Sequence, residues 1–484
     1  MNVNQQIIRT EPGRSKRWFY DRSSGEISQR LFDLTLGKEI DPEGLVWYLT
    51  LGFVPGERTL FKDIVCLPGG YKIEIFEGKI NILEKWAYSD FLTDQYFDVS
   101  EEKLIDEGIY QWKTAISSAQ QKASGDIIVP ISSGLDSRAI LAALLEHHSA
   151  SEIFTYTYGP PDTWDYEIGN RIAKITGTKH ISYDTTKFNY TLQGLEKTAD
   201  LTDGSSHSYK PYPIEWINKN FGITNITHWT GHVGGALTGI HFPRDNSPIK
   251  DEDFCIQSNR FVRDSKMEEI IFGPNILDRY KLPYTQSIPL NGVITPEEIW
   301  DLNNRQELNN GPFIMFRGPN FVMPFIEPSW LKFIMSVPRH YRQNQILYKK
   351  IILKAFPKLF SLPSGRVYGK SLRTHLYPNI ISKLHMKARK QMDRSLPGQI
   401  NRKNKSAWLR IKYLDFDLAF KNNQNNFRHA IMHNVKSLSK RALLPKTQLN
   451  NLLGMVQENN MLSPDALLLL SSLELNLKLS GANI

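Results

Sequence analysis

The residues best suited to chemistry in this chain are Ser132, Ser133, Gly134, Leu135, Asp136 and Ser137, which separate an apolar run from a helical pattern. The preceding run, residues 126–131, is short and β-branched, which predicts a buried strand, and residues 138–146 contain no helix breaker. A turn of small residues before a helix presents several backbone N–H groups together, where the helix dipole favours negative charge. We therefore expect this turn to hold phosphate or pyrophosphate.

Asp136 is the one acidic residue of the turn. A carboxylate repels phosphate, so its presence is better explained as a ligand for the Mg²⁺ that accompanies a nucleotide. The turn lacks the Gly-Lys-Ser/Thr sequence of a Walker-type loop. The alternative is an ordinary corner between a strand and a helix with a serine-rich N-cap.

The elements around this turn indicate a parallel sheet. From Glu101 onward, helical patterns alternate with short apolar strands predicted at residues 127–131, 153–157 and 226–230, and helix dominates from there to the end. Ligands of open parallel sheets bind beyond the carboxyl ends of the strands. The loops after Ile131, Thr157 and Thr230 should therefore converge on one cleft.

The first hundred residues have a different pattern of short strands and turns. We predict a strand at 18–20, a helix over 42–51, and a hairpin of strands 71–76 and 80–83 around Glu77-Gly78. The change of pattern divides the chain into two predicted domains, residues 1–100 and 101–484.

Composition favours a globular cytoplasmic protein. Of the 484 residues 40% are hydrophobic and 23% are charged, which argues against bulk disorder. Two cysteines cannot make a disulfide framework, and Cys66 lies in an apolar run that predicts a buried thiol, so a reducing compartment is expected. The N-terminus has no signal-like apolar stretch, and the longest apolar run, residues 466–470, is too short to span a bilayer.

The net charge of +9 is concentrated in one stretch, residues 383–412, which has ten Lys or Arg and one acid. A patch for a polyanion or a membrane surface is one interpretation. Trp408 is the only aromatic residue there that could stack on a base, so a solvated basic helix face is favoured and no nucleic-acid partner is expected.

The serine-rich turn resembles the SGGxDS loop of ATP pyrophosphatases, and five further segments resemble the asparagine synthetase family in order along nearly the whole chain. Residues 44–86 resemble the end of that family's N-terminal domain and its linker. Asp165 precedes Gly177, Thr178 and His180 by twelve, thirteen and fifteen positions, as in the family. Residues 230–235 stand in place of a Ser-Gly-Glu-Gly-Ser-Asp type loop, and residues 323–327 stand in place of the family's PFLD turn. Lys350 precedes Lys370 by twenty positions, close to the family's usual spacing.

The resemblance implies an α/β fold with three parts: a small, truncated β-rich remnant of an N-terminal-nucleophile domain, a parallel-sheet ATP pyrophosphatase domain of the adenine nucleotide α-hydrolase type, and a helical C-terminal region. It also implies an ATP-dependent ligase that adenylates a carboxylate, releases pyrophosphate, and passes the acyl group to an amine, with ATP and Mg²⁺ as cofactors. The residues it implies for ATP or pyrophosphate are Ile131, Ser132, Ser133, Gly134, Leu135, Asp136, Ser137, Tyr158 and Gly231, with Asp136 also on the metal.

Two residues are implied to be catalytic. Lys370 would place a cation against the pentavalent phosphorus and later the oxyanion, although Val367-Tyr368 replace the usual basic-Pro pair and a surface lysine is the alternative. His232 stands where relatives that use amine nucleophiles place a Glu or Tyr near the reacting amine, and it could take a proton from the nucleophile near neutral pH. A His at this place is similar to the Gly-His-Gly-Gly-Asp loop of lasso peptide cyclases. For His180 a structural role at a strand end, satisfied by the backbone, is favoured.

Several positions depart from the family pattern. Asn2 stands in place of the glutaminase cysteine, so we expect no ammonia from glutamine. Ser133 replaces the second Gly of the turn, Gly235 replaces a Mg²⁺-binding Asp, and Asn320 and Val322 replace a Glu and an Arg.

Three functions follow. The first is a ligase that uses ammonia, or the amine of a small molecule or peptide; the second is a peptide-tailoring enzyme that forms an isopeptide or lactam; the third is a non-catalytic nucleotide-binding protein. The sequence leaves open the carboxylate and amine substrates and whether the chain forms a homodimer.

Overall fold

The computed structural model describes ten stretches of the chain. These are residues 6–76, 79–210, 214–221, 226–240, 252–263, 265–283, 293–311, 320–377, 409–457 and 464–482. Asn2, the hairpin turn Glu77-Gly78 and residues 383–408 of the basic stretch lie outside the described residues.

Eleven strands are described. They are β1 Gln6–Arg9, β2 Phe19–Asp21, β3 Ile27–Ser28, β4 Ile64–Cys66, β5 Lys72–Phe76, β6 Lys79–Glu84, β7 Asp126–Pro130, β8 Ile153–Gly159, β9 Lys179–Asp184, β10 Ile226–Trp229 and β11 Asn320–Val322. The last five form a parallel sheet in the order β11-β10-β7-β8-β9, and the first six form two antiparallel sheets in the orders β1-β5-β6 and β3-β2-β4.

The α-helices connect and cover these sheets. They are α1 Pro42–Leu51, α2 Glu101–Lys122, α3 Asp136–Leu144, α4 Trp164–Thr176, α5 Leu192–Leu201, α6 Ile214–Phe221, α7 Gly234–Leu237, α8 Glu252–Asn259, α9 Met267–Phe272, α10 Pro296–Trp300, α11 Pro328–Ser336, α12 Arg339–Arg342, α13 Ile346–Ala355, α14 Pro357–Phe360, α15 Leu372–Leu376, α16 Phe416–Lys421, α17 Phe427–Leu438, α18 Lys446–Gln457 and α19 Pro464–Ser480. A π-helix, Asp301–Asn309, continues directly from α10.

The parallel sheet confirms the predicted α/β pattern, and its three predicted strands correspond to β7, β8 and β10. Ile128 of β7 pairs with Phe154 of β8 on one side and with His228 of β10 on the other. The chain leaves β7 toward β8 and β9, then returns to the opposite side for β10 and β11. The strand order therefore reverses between β7 and β10, and the crevice at such a switch point is where doubly wound sheets bind ligands.

The sheet is buried on both faces, because Ile128 and Val129 point to opposite sides and are both fully buried. Val129 belongs to a large core that α2, α3, α11 and α13 complete. Ile128 belongs to a smaller cluster with Tyr156 and Ile217 of α6. The edge of the sheet at the carboxyl ends is thus held by packing on two sides.

The first hundred residues share a hydrophobic core with the C-terminal helices. The predicted helix over 42–51 is confirmed as α1, which Asp41 caps by accepting from the backbone N–H groups of Glu43 and Gly44. Trp47 of α1 packs in the same cluster as residues 466–470 of α19. The predicted hairpin is confirmed as β5 and β6, and none of the described helices is long and apolar enough to cross a membrane.

Candidate active site at the sheet switch point

The predicted corner between strand, turn and helix is present. Ile131 fixes where the serine turn, residues 132–137, begins: its N–H donates to the carbonyl of Tyr156 at 2.8 Å, and its carbonyl accepts from the Thr157 hydroxyl at 2.8 Å. α3 then starts at Asp136. Within the described residues no hydrogen-bond partner is found for the backbone N–H groups of Leu135, Asp136 and Ser137. These donors are available to an anion.

An internal carboxylate already binds this turn. Asp165, in the first turn of α4, accepts hydrogen bonds from the Ser133 hydroxyl and, at 3.2 Å, from the Ser133 N–H. The N–H of Gly134 donates to the Ser132 hydroxyl at 3.1 Å. The loop after β8 therefore reaches the turn after β7, as predicted, and the turn accommodates a negative group.

The glycine loop after β10, residues 230–235, lies directly against Asp136. A Cβ on Gly231 would lie 2.8 Å from the Cβ of Asp136, and a Cβ on Gly234 would lie 3.0 Å from its Cγ. Such distances are shorter than van der Waals contact, so these positions require glycine as the structure stands. The convergence of the loops after β7 and β10 is thereby confirmed.

Asp136 is in an electrostatic environment that suits a metal ligand. Its Oδ1 atom is buried and has no hydrogen-bond partner in the described parts of the chain. Burial raises the pKa of the Asp136 carboxyl to about 6, against the opposing effects of the Arg366 charge and the Tyr348 side chain. A cation at Oδ1 would compensate the buried charge, so the residue fits the Mg²⁺ that the resemblance implies.

The protein itself offers few further ligands to such an ion. Among the described residues no group of three or more His, Cys, Asp and Glu side chains could hold a metal. Mg²⁺ commonly binds through one or two carboxylates together with substrate phosphates and waters. A metal at Asp136 would therefore need the phosphates of a nucleotide to complete its coordination.

The lysine loop, residues 364–370, covers the other side of the serine turn. The Ser364 hydroxyl donates to the Ser133 carbonyl at 2.7 Å, and a Cβ on Gly365 would overlap the Ser133 hydroxyl. The N–H of Ser364 donates to the carbonyl of Lys370 at 2.9 Å, which closes the loop. The predicted Lys370, which is half-buried, is thus on a segment that contacts the turn.

Arg138 anchors the lysine loop to α3. Its fully buried guanidinium donates to the carbonyls of Pro363 at 2.9 Å and of Ser133 at 3.4 Å, and lies 5.6 Å from the centre of the Phe360 ring. Sequence reasoning missed this residue. The signal was an arginine within the otherwise apolar pattern of α3, where a charge needs a specific partner.

A cleft of about 210 Å³ opens above the turn. Its lining residues are Ser132, Ser133, Gly134, Trp164, Asp165, Gly365, Arg366, Leu409, Arg410, Ile411 and Lys412. Three of them are basic, namely Arg366, Arg410 and Lys412, and all three side chains are exposed. Backbone donors, serine hydroxyls and three cations make this cleft suitable for a polyphosphate. Arg410 and Lys412 belong to the basic stretch, whose sequence signal was interpreted as a solvated face.

Tyr158 is not among the residues that line this cleft. Its ring stacks on Tyr413, with centroids 5.9 Å apart, and on Tyr156 at 6.1 Å. Tyr413 follows Lys412 in the segment that lines the cleft. Tyr158 therefore supports that segment in the structure, and its predicted contact with ATP stays a prediction.

His232 is buried in the glycine loop. Its backbone N–H donates to the Thr230 hydroxyl at 3.2 Å, and its Nε2 has no hydrogen-bond partner among the residues described. Burial lowers the pKa of the imidazole to about 4. The ring is therefore neutral at pH 7 and a weaker base than the near-neutral group that the sequence led us to expect.

The two lysines at the middle of α13 have different partners. Lys350, which the resemblance selected, forms an ion pair with Glu101 at 2.5 Å. Lys349 is buried and donates to the Asn344 carbonyl at 2.8 Å, and burial with the charge of Arg366 lowers its pKa to about 8. Lys349 is thus the lysine of α13 that the cleft charges influence, and sequence spacing alone did not separate it from its neighbour.

The other positions singled out in the sequence have structural contacts. The Nδ1 atom of His180 lies 2.9 Å from the Thr155 hydroxyl, and its Nε2 atom lies 3.1 Å from the Asn170 side-chain oxygen. These contacts agree with the predicted structural role, although the partners are side chains and not the backbone. In the PFLD-like turn, Phe325 packs against Gly234, and Glu327 pairs with Lys122 at 2.7 Å. This turn therefore packs against the glycine loop through Phe325.

No protein-family model matches the chain, and no curated protein matches it either. Functional assignment therefore depends on the chemistry of the site.

Proposed function

We propose that the chain is an ATP-dependent amide-forming ligase of the asparagine synthetase type, with an ATP pyrophosphatase fold around its parallel sheet. The observation that carries this proposal is the position of Asp136. A buried Oδ1 without a hydrogen-bond partner within the described residues lies at the start of α3, beside unpartnered N–H groups and a basic cleft. These features together favour a nucleotide polyphosphate with its metal.

Each part of the site has a role in adenylation. The N–H groups of the serine turn, with Arg366 and Lys412, would bind the β- and γ-phosphates that leave as pyrophosphate. Asp136 would hold Mg²⁺, which spreads the charge that develops on the leaving group. Lys370 would stabilise the pentavalent α-phosphorus, and later the oxyanion that forms when an amine attacks the acyl carbon.

The nitrogen donor in this proposal is free ammonia or a substrate amine. Cys66 and Cys255, the two cysteines of the sequence, are both buried thiols, so neither is placed to attack glutamine. The neutral His232 ring would accept a hydrogen bond from the attacking amine at Nε2. Its weak basicity favours orientation of the amine over full removal of its proton.

The decisive experiment is the exchange of labelled pyrophosphate into ATP, with and without a panel of carboxylic acids. We expect exchange that depends on one class of carboxylate and that is abolished in Asp136→Asn. Steady release of glutamate from glutamine by the purified chain would contradict the assignment of the nitrogen donor.

A non-catalytic nucleotide-binding protein is the second candidate, favoured by Gly235, which lies beside Asp136 and provides no carboxylate there. Binding of ATP without exchange for any carboxylate would support that candidate. Absence of ATP binding would exclude both.

A further inference from the structure

A second cavity, of about 320 Å³, lies beside the candidate active site. It is enclosed by α7, α8, α10 and the π-helix. Its lining residues are Ala236, Leu237, Cys255, Ser258, Asn259, Arg263, Thr295, Glu297, Glu298, Asp301, Leu302, Arg305 and Arg342. None of these residues was selected from the sequence for a role in chemistry.

The short helix α7 separates this cavity from Asp136. Gly234, its first residue, packs on the Asp136 carboxyl, and Ala236 and Leu237, its last two, line the cavity. A helix rises about 1.5 Å per residue. The cavity therefore begins within about one helical turn of the Asp136 carboxyl.

The cavity has charges of both signs. Two pairs are internal: Arg342 with Glu298 at 3.1 Å, and Arg305 with Asp301 at 2.5 Å. Arg263, at the rim, is exposed and forms no ion pair within the described residues. The lining therefore presents three carboxylates, those of Glu297, Glu298 and Asp301, and three guanidinium groups, and a ligand that has both an ammonium and a carboxylate meets groups of opposite charge for each.

The size of the cavity bears on the nitrogen donor. Its volume falls at the lower end of the range of about 300–1,000 Å³ typical of pockets for small organic ligands. Free ammonia is the size of one water molecule and would need no such space. Apolar atoms of Leu237 and Leu302 in the lining also favour a ligand with a carbon skeleton.

The π-helix that forms one wall is held by the first hundred residues. The Asn304 side chain accepts from the Gly56 N–H at 2.9 Å, and Glu307 pairs with Arg14 at 3.1 Å. Long π-helical turns are rare and frequently occur at functional sites. Through these contacts the first hundred residues help to shape the cavity, and this role does not depend on glutaminase activity.

We propose that this cavity binds the amine substrate, and that this substrate is a zwitterion of dipeptide size. The inference rests on the proposed ligase function. In the reaction the amine nitrogen forms a bond to the acyl carbon as the bond from that carbon to the AMP oxygen breaks, and the displaced proton passes to solvent.

The test is direct binding to the full chain in the absence of ATP, measured by calorimetry. The probes are alanyl-alanine, alanyl-glutamate and lysyl-alanine, each compared with its N-acetylated, C-amidated form and with ammonium chloride. We expect at least one free dipeptide to bind, its blocked form not to bind, and Arg263→Ala to weaken binding about tenfold. Arg171→Ala, an exposed arginine on α4, is the matched control and should bind as the wild type does.

Equal binding of free and blocked dipeptides, or equal binding by the wild type and Arg263→Ala, would overturn the inference, as would the failure of every dipeptide to bind. ATP binding is measured separately on the same preparation. Dipeptide binding without ATP binding would remove the ligase proposal while leaving the cavity as a binding site, so the two failures are distinguishable.

Discussion

A Cβ atom on Gly235 would lie 3.7 Å from the Oδ2 atom of Asp136, at ordinary van der Waals distance. The nearest other atom is the Cγ2 of Ile240, at 3.3 Å, a methyl on a branched Cβ that would have to give by a few tenths of an ångström. The family that this chain resembles has a Mg²⁺-binding aspartate at this place. A carboxylate at position 235 would therefore stand next to Asp136 with little rearrangement of the backbone.

We predict that Gly235→Asp strengthens Mg²⁺ binding, because a second carboxylate adds charge and a ligand to the site. The dissociation constant for Mg²⁺ in the presence of ATP should fall about tenfold, equivalent to about 1.4 kcal/mol. The measurement is the shift of the melting temperature with Mg²⁺ concentration. Gly235→Asn is the control, since it has a similar volume without the charge. Equal Mg²⁺ dependence in both variants would argue against a metal at Asp136.

Asp136 should reduce the stability of the protein without ligands. Its pKa is raised from 3.8 in the unfolded chain to about 6 in the folded protein, so the folded state holds the proton more tightly. The free energy of unfolding therefore has its full value below pH 3.8, falls between pH 3.8 and 6, and stays reduced above that. Asp136→Asn should raise it by about 1–3 kcal/mol at pH 7.5.

Chemical denaturation at two pH values tests this prediction. At pH 3.5 the wild type and Asp136→Asn should unfold with the same free energy, and at pH 7.5 the variant should be more stable although inactive. Asp165→Asn is the comparison variant. The Asp165 carboxylate accepts hydrogen bonds from Ser133, so this variant should be less stable than the wild type. A variant that is less stable at both pH values would show that Asp136 is structural.

The corner from residue 126 to 146 could be predicted from the sequence because it is a local pattern: a β-branched run, a small-residue turn and a helix without breakers. The meeting of Asp136 with Gly231 was also predictable, since parallel strands place their carboxyl ends at one edge. This second inference uses only the direction of the strands.

The side chains that complete the site depend on long-range packing. Arg138 binds carbonyls of residues more than two hundred positions away, and the burial of Lys349 follows from how α13 rotates against the core. Adjacent lysines have identical chemistry in the sequence. The ion pair of Lys350 with Glu101 on α2 shows that Lys350 is the lysine that does not point into the core. The low pKa of His232 likewise comes from burial, which depends on the folded chain.

Lys370, Lys350 and Lys349 should have different effects on the kinetics. Lys370→Met should lower the rate of pyrophosphate exchange by about two orders of magnitude with little change in ATP affinity, as removal of a preorganised charge does. Lys350→Met removes a partly exposed ion pair, so it should cost less than about 1 kcal/mol of stability and leave the rate unchanged.

Lys349→Met should weaken ATP binding, because its buried cation adds to the positive potential around Arg366. Single-turnover rates and ATP affinities of all three variants provide the measurement. A slow Lys350→Met variant would instead assign Lys350 to the reaction. If Lys370→Met lost ATP affinity alone, Lys370 would be a phosphate anchor.

His232 should contribute a constant factor to the rate over the neutral pH range. With a pKa of about 4, its ring does not change protonation between pH 5.5 and 8, so it adds no inflection to the rate profile there. Mg²⁺ bound at Asp136 would lower the pKa of that carboxyl below the value of about 6 that it has without the metal, so the acid-side loss of activity should move to lower pH as the Mg²⁺ concentration rises. His232→Gln, which keeps an acceptor near the Nε2 position, should lower the rate about tenfold at every pH, and His232→Ala by about a further tenfold, in line with the loss of a positioning hydrogen bond.

The rate of amide formation at saturating amine, measured from pH 5.5 to 8, tests this prediction. An inflection near pH 6.5 that disappears in His232→Gln would identify the ring as a titrating general base and would contradict the low pKa that burial gives it.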